Sequence, residues 1–143
     1  MIDSETYPSL SNEVSSLPES NHLFPVFLKL EQLSVLLVGG GNVAWEKLNA
    51  ILVNAPATRI RLVAKEIDDR IHALATGYPH LLLEQKSYTK EVLQNAELVV
   101  VAVNDIPLSE QIRSDAKALG LLVNVADKPA LCDFYLGSIV QKG

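Results

Sequence analysis

The sequence contains a single cysteine, Cys132, so no disulfide can form within the chain. The same count excludes a zinc or iron–sulfur site built from several cysteines of this chain. One cysteine suits a reducing compartment, and the N-terminus carries no basic stretch followed by an apolar run, as a secretory leader would. We therefore expect the protein to be cytoplasmic.

An excess of positive charge and long apolar runs are missing as well. Lys and Arg number 12 against 17 Asp and Glu, which gives a formal net charge of −5. No basic field is present to attract DNA or RNA, so we expect no nucleic-acid partner. No apolar stretch reaches the roughly 18 residues that a membrane span requires, so we expect no membrane partner.

The 143 residues are enough for one domain with a core, and 48% of them are hydrophobic. Residues 1–22 are rich in Ser, Glu, Asn and Pro and show no sustained period, which predicts a flexible N-terminal tail. Residues 23–143 differ in character, and we expect them to form the folded domain.

Within that domain, short runs typical of β-strands alternate with helical patterns. The predicted strands are 35–38, 60–64, 81–84, 98–102 and 121–125, and the predicted helices are 43–54, 67–76 and 108–119, with a short one near 90–95. A run such as LVVVAV at 98–103 is apolar throughout, which is typical of a parallel strand covered on both faces. The pattern predicts a Rossmann-like, doubly wound α/β fold with a mainly parallel five-stranded sheet and helices on both faces.

Three consecutive glycines separate the first predicted strand from the first helix, in LSVLLVGGGNVAWEKL. In a G-x-G-x-x-G/A fingerprint, Gly39 permits the tight turn and Gly41 lets the backbone approach a pyrophosphate. Ala44 takes the third position, where a small residue lets the helix pack near the strand. The helix N-terminus itself favours a phosphate. We expect NAD or NADP here, against the alternative that the glycines serve packing alone.

The acidic residue that usually binds the adenosine ribose at the end of the second strand is missing. Lys65 occupies that region and Glu66 follows it. Lys65 favours a 2′-phosphate and hence NADP, whereas Glu66 can bind the ribose if the turn is offset by a residue. Solvated charges at the mouth of a loop are the alternative for both.

Polar residues also follow the fourth and fifth predicted strands, where ligands of open α/β sheets bind. Asn104 ends the fourth strand, and Asp127 lies just past the fifth, near the expected place of a nicotinamide ring. A carboxylate there can accept a proton or a metal ion, or it can bond its own backbone in a turn. Cys132 is interpreted as a small hydrophobic residue and Trp45 as a cover for the sheet edge.

The segments FPVFLKLEQLSVLLVGGGNVAWEKL, ELVVVAVND and GLLVNVADKPALCDF resemble the precorrin-2 dehydrogenase family, the N-terminal part of siroheme synthases. The resemblance covers nearly all of the chain outside the tail, and the last segment is more specific than the glycines. It implies NAD-dependent oxidation of precorrin-2 to sirohydrochlorin, and some members also insert iron to give siroheme.

Residue by residue, the resemblance implies that Asp127 is the general base of the oxidation and aids metal insertion. Asn42 and Val43 match positions whose backbone faces the pyrophosphate. Lys65 and Glu66 match positions that contact the adenosine half. The family uses NAD although it lacks the usual acidic residue, which weakens the NADP interpretation of Lys65.

The chain departs from the family pattern at several positions. Val103 and Asn104 stand where the family often has Thr and Asp, so hydrogen bonding near the nicotinamide is expected to differ. Gly137 replaces a common proline, and Asn54 is expected to adopt the left-handed conformation of a missing glycine after the first helix.

Family members continue past the equivalent of Gly143 into a dimerisation region and a helical segment that help to form the tetrapyrrole cleft. The chain is therefore expected to be either part of a longer, homodimeric siroheme synthase or a short protein that binds nucleotide without turnover. A chelatase that needs no NAD is a third hypothesis.

Overall fold

The structure, a computed structural model, describes residues 22–136. Its strands are β1 (Ser34–Val38), β2 (Arg59–Ala64), β3 (Leu81–Gln85), β4 (Leu98–Val101) and β5 (Leu122–Val125). Its α-helices are α1 (Asn42–Asn54), α2 (Asp69–Ala75) and α3 (Ile106–Ala118). Short 3-10 helices cover Leu30–Gln32, Lys90–Leu93 and Pro129–Leu131. The predicted tail and the position of Gly137 lie outside the described residues, except for His22.

All five strands are parallel, in the order β3-β2-β1-β4-β5. The chain moves outward from β1 through β2 to β3 and then returns to the other side of β1 to place β4. The strand order therefore reverses between β1 and β4, which is where open α/β sheets bind their ligands. The predicted Rossmann-like fold is confirmed, and the sheet is wholly rather than mainly parallel.

Apolar residues cover both faces of the sheet, as the uninterrupted strand runs predict. On one face α1 and α2 bury a cluster that includes Leu48, Leu52 and Ile71. On the other face α3 and the 3-10 helix at 90–93 bury a second cluster that includes Ile112 and Leu93. The sheet thus lies between two helical layers. Its faces are covered, so a ligand is expected at the ends of the strands.

Three predicted boundaries shift for local reasons. β4 ends at Val101, one residue early, although the N–H of Ala102 still donates to the carbonyl of Val38 at 2.8 Å. The third helix begins at Ile106, two residues early, because a proline such as Pro107 is well placed in a first helical turn. The helix predicted over 67–76 is shorter because Asp68 caps its N-terminus and delays its start.

The expectation for Asn54 was wrong. Among the described residues other than glycine, only Asn95 and Asp127 have a positive φ. Asn54 is instead the last residue of α1, and its side-chain amide donates to the carbonyl of Ala50 at 2.8 Å. The next residue, Ala55, leaves the helix at φ −139°, so the turn needs no left-handed residue.

An ion pair between Arg61 and Glu84 links β2 to β3. Arg61 Nε and Nη2 donate to the two carboxylate oxygens of Glu84 at 2.7 and 3.0 Å, and Arg61 Nη1 donates to the carbonyl of Val92 at 3.1 Å. The hydrogen bonds from Arg61 lower the pKa of Glu84 from 4.5 to about 2. This fork geometry is the strong form of a charge-assisted pair.

Glu84→Gln should remove a pH-dependent part of the stability. Because the folded-state pKa is depressed, the contribution of Glu84 is complete above its ordinary pKa of 4.5 and is lost as the pH falls towards 2. Since the pair is partly exposed to solvent, we expect a loss of roughly 1 kcal/mol at pH 7. Urea unfolding of both proteins between pH 7 and pH 2 measures it. A difference that stays constant over that range contradicts the assignment, and Glu110→Gln on the exposed surface of α3 is the charge-matched control.

Neighbouring residues of α1 offer a test of the layer that packs on the sheet. Leu52 is 1% exposed and Val53 is 62% exposed. Leu52→Ala should lower the free energy of unfolding by about 2–5 kcal/mol because it leaves a cavity between helix and sheet. Val53→Ala should change it by less than about 0.5 kcal/mol. Equal effects in urea unfolding would contradict the packing described here.

Candidate functional site

The glycine turn between β1 and α1 is wedged between two other segments. Gly39 has φ +137°, and a Cβ at this position would overlap the carbonyl oxygen of Ala102 after β4. A Cβ on Gly40 would overlap the carbonyl oxygen of Glu66 after β2. The Gly40 carbonyl also accepts from the N–H of Asp68 at 2.8 Å. The tight turn predicted for Gly39 is present, and the need for Gly40 was missed because it depends on a contact distant in sequence.

Gly41 differs from its two neighbours. A Cβ added there would meet no atom within 4 Å, so open space lies in front of it. Gly41 is also the N-cap of α1, and no side chain in the described part of the chain caps that helix. By contrast, α2 is capped by Asp68 and α3 by Asp105. The first N–H groups of α1 therefore suit a phosphate group approaching through this space.

Beside the turn lies an open groove of about 560 Å³. Its walls are the glycine turn on one side and the loop between β2 and α2 on the other, namely Gly40, Gly41, Glu66, Ile67, Asp68 and Asp69. Of the two residues predicted to contact adenosine, Glu66 lines this groove and Lys65 does not, although both are exposed. Three acidic residues thus line the groove beside the turn, where the ribose of a dinucleotide is expected.

One of these carboxylates is held in an ion pair. Asp68 Oδ1 accepts from the backbone N–H of Arg70 at 2.8 Å and from Arg70 Nε at 3.1 Å, and Asp68 Oδ2 accepts from Nη2 at 2.9 Å. The side-chain bonds from Arg70, followed by its backbone bond, lower the pKa of Asp68 from 3.8 to about 2. Asp68 is therefore ionised at neutral pH and caps α2.

Arg70 also ties α2 to the first turn of α1. Its Nη2 donates to Asn42 Oδ1 at 3.1 Å, and its guanidinium lies 4.5 Å from the centre of the Trp45 ring. Trp45 packs against the core cluster on the α1 side of the sheet, in agreement with its predicted covering role. Its contact with Arg70 was not predicted, because residues 25 positions apart in sequence give no local signal.

Asp127 lies at the same edge of the sheet as the glycine turn, in a strained turn. It has φ +60°, and the turn around it is closed by the N–H of Lys128, which donates to the carbonyl of Val125 at 3.1 Å. Asp is among the few residues other than glycine that tolerate this conformation. Its side chain is exposed. Strained backbone is common at functional sites, so the geometry is compatible with the predicted role.

Asn104 follows β4, and its side chain is exposed. Because Val101 of β4 pairs with Val125 of β5, the residues after the two strands emerge side by side. Val43 is half-buried in the first turn of α1 and packs against the core. The parallel sheet thus brings the glycine turn, Asn104 and Asp127 to one edge, whereas the groove beside Asp68 is lined by neither of the latter two.

The segment after Asp127 folds back onto β5. The N–H of Val125 donates to Cys132 Sγ at 3.1 Å, and Sγ donates to the carbonyl of Val125 at 3.2 Å. The N–H of Val123 donates to Asp133 Oδ2 at 2.9 Å, and the Asp133 N–H donates to the Val123 carbonyl at 2.7 Å. Cys132 is half-buried, and its side chain forms hydrogen bonds with the backbone of β5. Both side chains therefore fix the strand that precedes Asp127.

Within residues 22–136, no group of three or more His, Cys, Asp or Glu side chains is arranged to hold a metal ion. None of the helices in that range has the length and apolar character needed to cross a membrane.

The parallel sheet, the glycine turn at the reversal of strand order and the uncapped start of α1 together define a dinucleotide-binding Rossmann domain. Residues 26–138 match the model of the family described as "Putative NAD(P)-binding". The chain belongs to this NAD(P)-binding family.

Two relatives agree with the resemblance predicted from the sequence. The chain is 40% identical over 119 residues to a siroheme synthase of Psychrobacter cryohalolentis, which covers 83% of this chain and 22% of that protein. It is 40% identical over 118 residues to a siroheme synthase of Ectopseudomonas mendocina, covering 82% and 24%. The chain thus spans about a quarter or less of the length of these relatives.

A solved structure of SirC, a precorrin-2 dehydrogenase, is similar in fold. The TM-score is 0.67 at 24% sequence identity, over 83% of this chain and 61% of that one. This similarity supports the Rossmann-like architecture.

Substitutions at two adjacent glycines, Gly40 and Gly41, test separately the contribution of the turn to stability and its contribution to ligand binding. Gly40→Ala should destabilise the protein by about 1–3 kcal/mol because its methyl group would overlap the Glu66 carbonyl. Gly41→Ala should cost less, about 0.5–1 kcal/mol, because its Cβ would meet no atom within 4 Å and the only penalty is that Ala is a poorer N-cap than Gly. It should nevertheless weaken dinucleotide binding roughly tenfold. Thermal unfolding and calorimetric titration with NAD⁺ measure the two effects. A Gly41→Ala protein that binds as tightly as the original sequence would contradict the placement of the pyrophosphate.

Proposed function

We propose that the chain is the NAD-binding part of a precorrin-2 dehydrogenase of siroheme biosynthesis, which oxidises precorrin-2 to sirohydrochlorin. The observation that carries the proposal is the glycine turn with an uncapped α1 at the sheet's reversal point, in a chain 40% identical to siroheme synthases. A cytoplasmic location is part of the same proposal.

The described residues fit a bound NAD. Gly39 holds the tight turn and Gly41 leaves open space in front of α1. The backbone of Asn42 and Val43, in the first turn of that helix, is assigned to the pyrophosphate. Glu66 borders the groove beside that turn, with its carboxylate available to the adenosine ribose. Lys65 lies one residue nearer the strand and outside the lining of the groove, so its proposed contact with adenosine is peripheral.

The oxidation removes one hydride and one proton from the tetrapyrrole. The nicotinamide supplies the hydride acceptor when the cofactor is bound. We assign the proton to Asp127, an exposed carboxylate beyond β5. Asn104, beyond the neighbouring strand β4, is assigned to the nicotinamide half as a hydrogen-bonding side chain.

A second candidate function is a nucleotide-binding module without tetrapyrrole chemistry. It requires only the glycine turn and the uncapped start of α1, which the described residues supply. Insertion of iron into sirohydrochlorin, with Asp127 as an aid, and homodimer formation are proposed only for the longer protein that would contain the rest of the cleft.

An anaerobic assay with precorrin-2 and NAD⁺ tests the proposal, with sirohydrochlorin followed by its absorbance. Formation of sirohydrochlorin shows that the chain builds a working cleft. NAD⁺ binding by calorimetry without product supports the module instead. Sirohydrochlorin that acquires iron with no need for NAD⁺ would point to a chelatase, and the absence of both binding and product would contradict the proposal.

Asp127→Asn provides the residue-level test. Asn tolerates a positive φ as well as Asp does, so the turn should keep its shape while the base is lost. We expect turnover to fall by about 100-fold or more, the usual contribution of a general base. The dissociation constant for NAD⁺ should stay unchanged. Turnover equal to that of the original sequence would remove Asp127 from the mechanism.

A further inference from the structure

The charges around the groove bear on whether the domain prefers NAD or NADP. Lys65, just after β2, favours a cofactor with a 2′-phosphate, yet it does not line the groove. The residues that line the groove include three acidic ones instead, Glu66, Asp68 and Asp69. A 2′-phosphate carries a charge of about −1.5 to −2, so it would be repelled there unless a cation were available.

Arg70 pairs with Asp68, which lines this groove, and its guanidinium is engaged on several sides. Its Nε and Nη2 donate to Asp68, and Nη2 also donates to Asn42. One face of the guanidinium lies against Trp45. An arginine that binds a phosphate usually offers two parallel N–H groups to it, and here the fork formed by Nε and Nη2 is occupied by a carboxylate.

We propose that Asp68 determines the cofactor preference of the domain, by holding the Arg70 fork and adding negative charge where a 2′-phosphate would lie. The inference rests on the proposed binding of NAD and deepens it. Asp68 thereby selects NAD over NADP although it is four residues past the end of β2, beyond the usual position of the selecting acid. It replaces the missing acidic residue at the position of Lys65.

The structure makes Asp68→Asn a sharp test. Asn is as good an N-cap as Asp, so the bond from the Arg70 N–H and the start of α2 should be kept. The substitution removes one negative charge beside the groove and releases Arg70 Nη2 from its bond to Oδ2, while Oδ1 can still accept from Nε. We expect the affinity for NADP⁺ relative to NAD⁺ to rise by about tenfold, as for one charge removed near an anion at the surface. Because these charges are exposed, the rise should shrink at high salt.

Calorimetric titration with NAD⁺ and with NADP⁺, at low and high salt, measures the ratio of the two dissociation constants. Glu110→Gln removes one negative charge from the exposed surface of α3 and is the charge-matched control, for which an unchanged ratio is expected. The double variant Asp68→Asn with Arg70→Met should lose the gain. If the gain persists without Arg70, or if Glu110→Gln produces it equally, the inference is overturned.

The outcomes separate this inference from the proposed function. If the original sequence binds NAD⁺ and Asp68→Asn leaves the NADP⁺ to NAD⁺ ratio unchanged, the role of Asp68 is wrong and the dinucleotide site stands. A preference of the original sequence for NADP⁺ also overturns the inference alone. If the original sequence binds neither cofactor, the proposed function fails and the inference fails with it.

Discussion

The closeness of backbone to backbone around Gly39 and Gly40 is the constraint on which the site depends. These residues pass between the segment after β4 and the loop after β2, where a side chain would overlap the carbonyl oxygens of Ala102 and Glu66. The strand order reverses beside this turn. After this turn α1 begins, and at its N-cap residue Gly41 open space lies in front of the backbone and no side chain of the described residues caps the helix.

The three α-helices differ in how their N-termini are capped. Asp68 and Asp105 cap α2 and α3 with their own carboxylates, as helices in general require. No side chain caps α1 in the part of the chain that the structure describes. A helix start that no side chain caps can bind an anion, since the anion satisfies the same N–H groups.

The fold was predictable from sequence because its signals are local. Uninterrupted apolar runs such as 98–101 indicate parallel strands, and the stripe of Ala44, Leu48, Ile51 and Leu52 indicates a helix that covers them. The roles of Gly39 and Gly41 follow from the spacing of the fingerprint. Asn54 was misjudged because its helix ends through a side-chain bond, which the sequence pattern does not distinguish from a left-handed cap. The proposed roles of Asp127, Asn104 and the adenosine-side residues stay predictions.

By itself the sequence determined the order of strands and helices, the apolar layers and the position of the glycine turn, because each depends on residues a few positions apart. Only the tertiary structure decided which charges meet. Arg70 reaches Asn42 and Trp45 across 28 and 25 positions of sequence, and Gly40 meets Glu66 across a neighbouring loop. Such contacts depend on how the helices pack on the sheet. The sequence pattern alone therefore does not distinguish an acidic residue that lines a groove from one on the open surface.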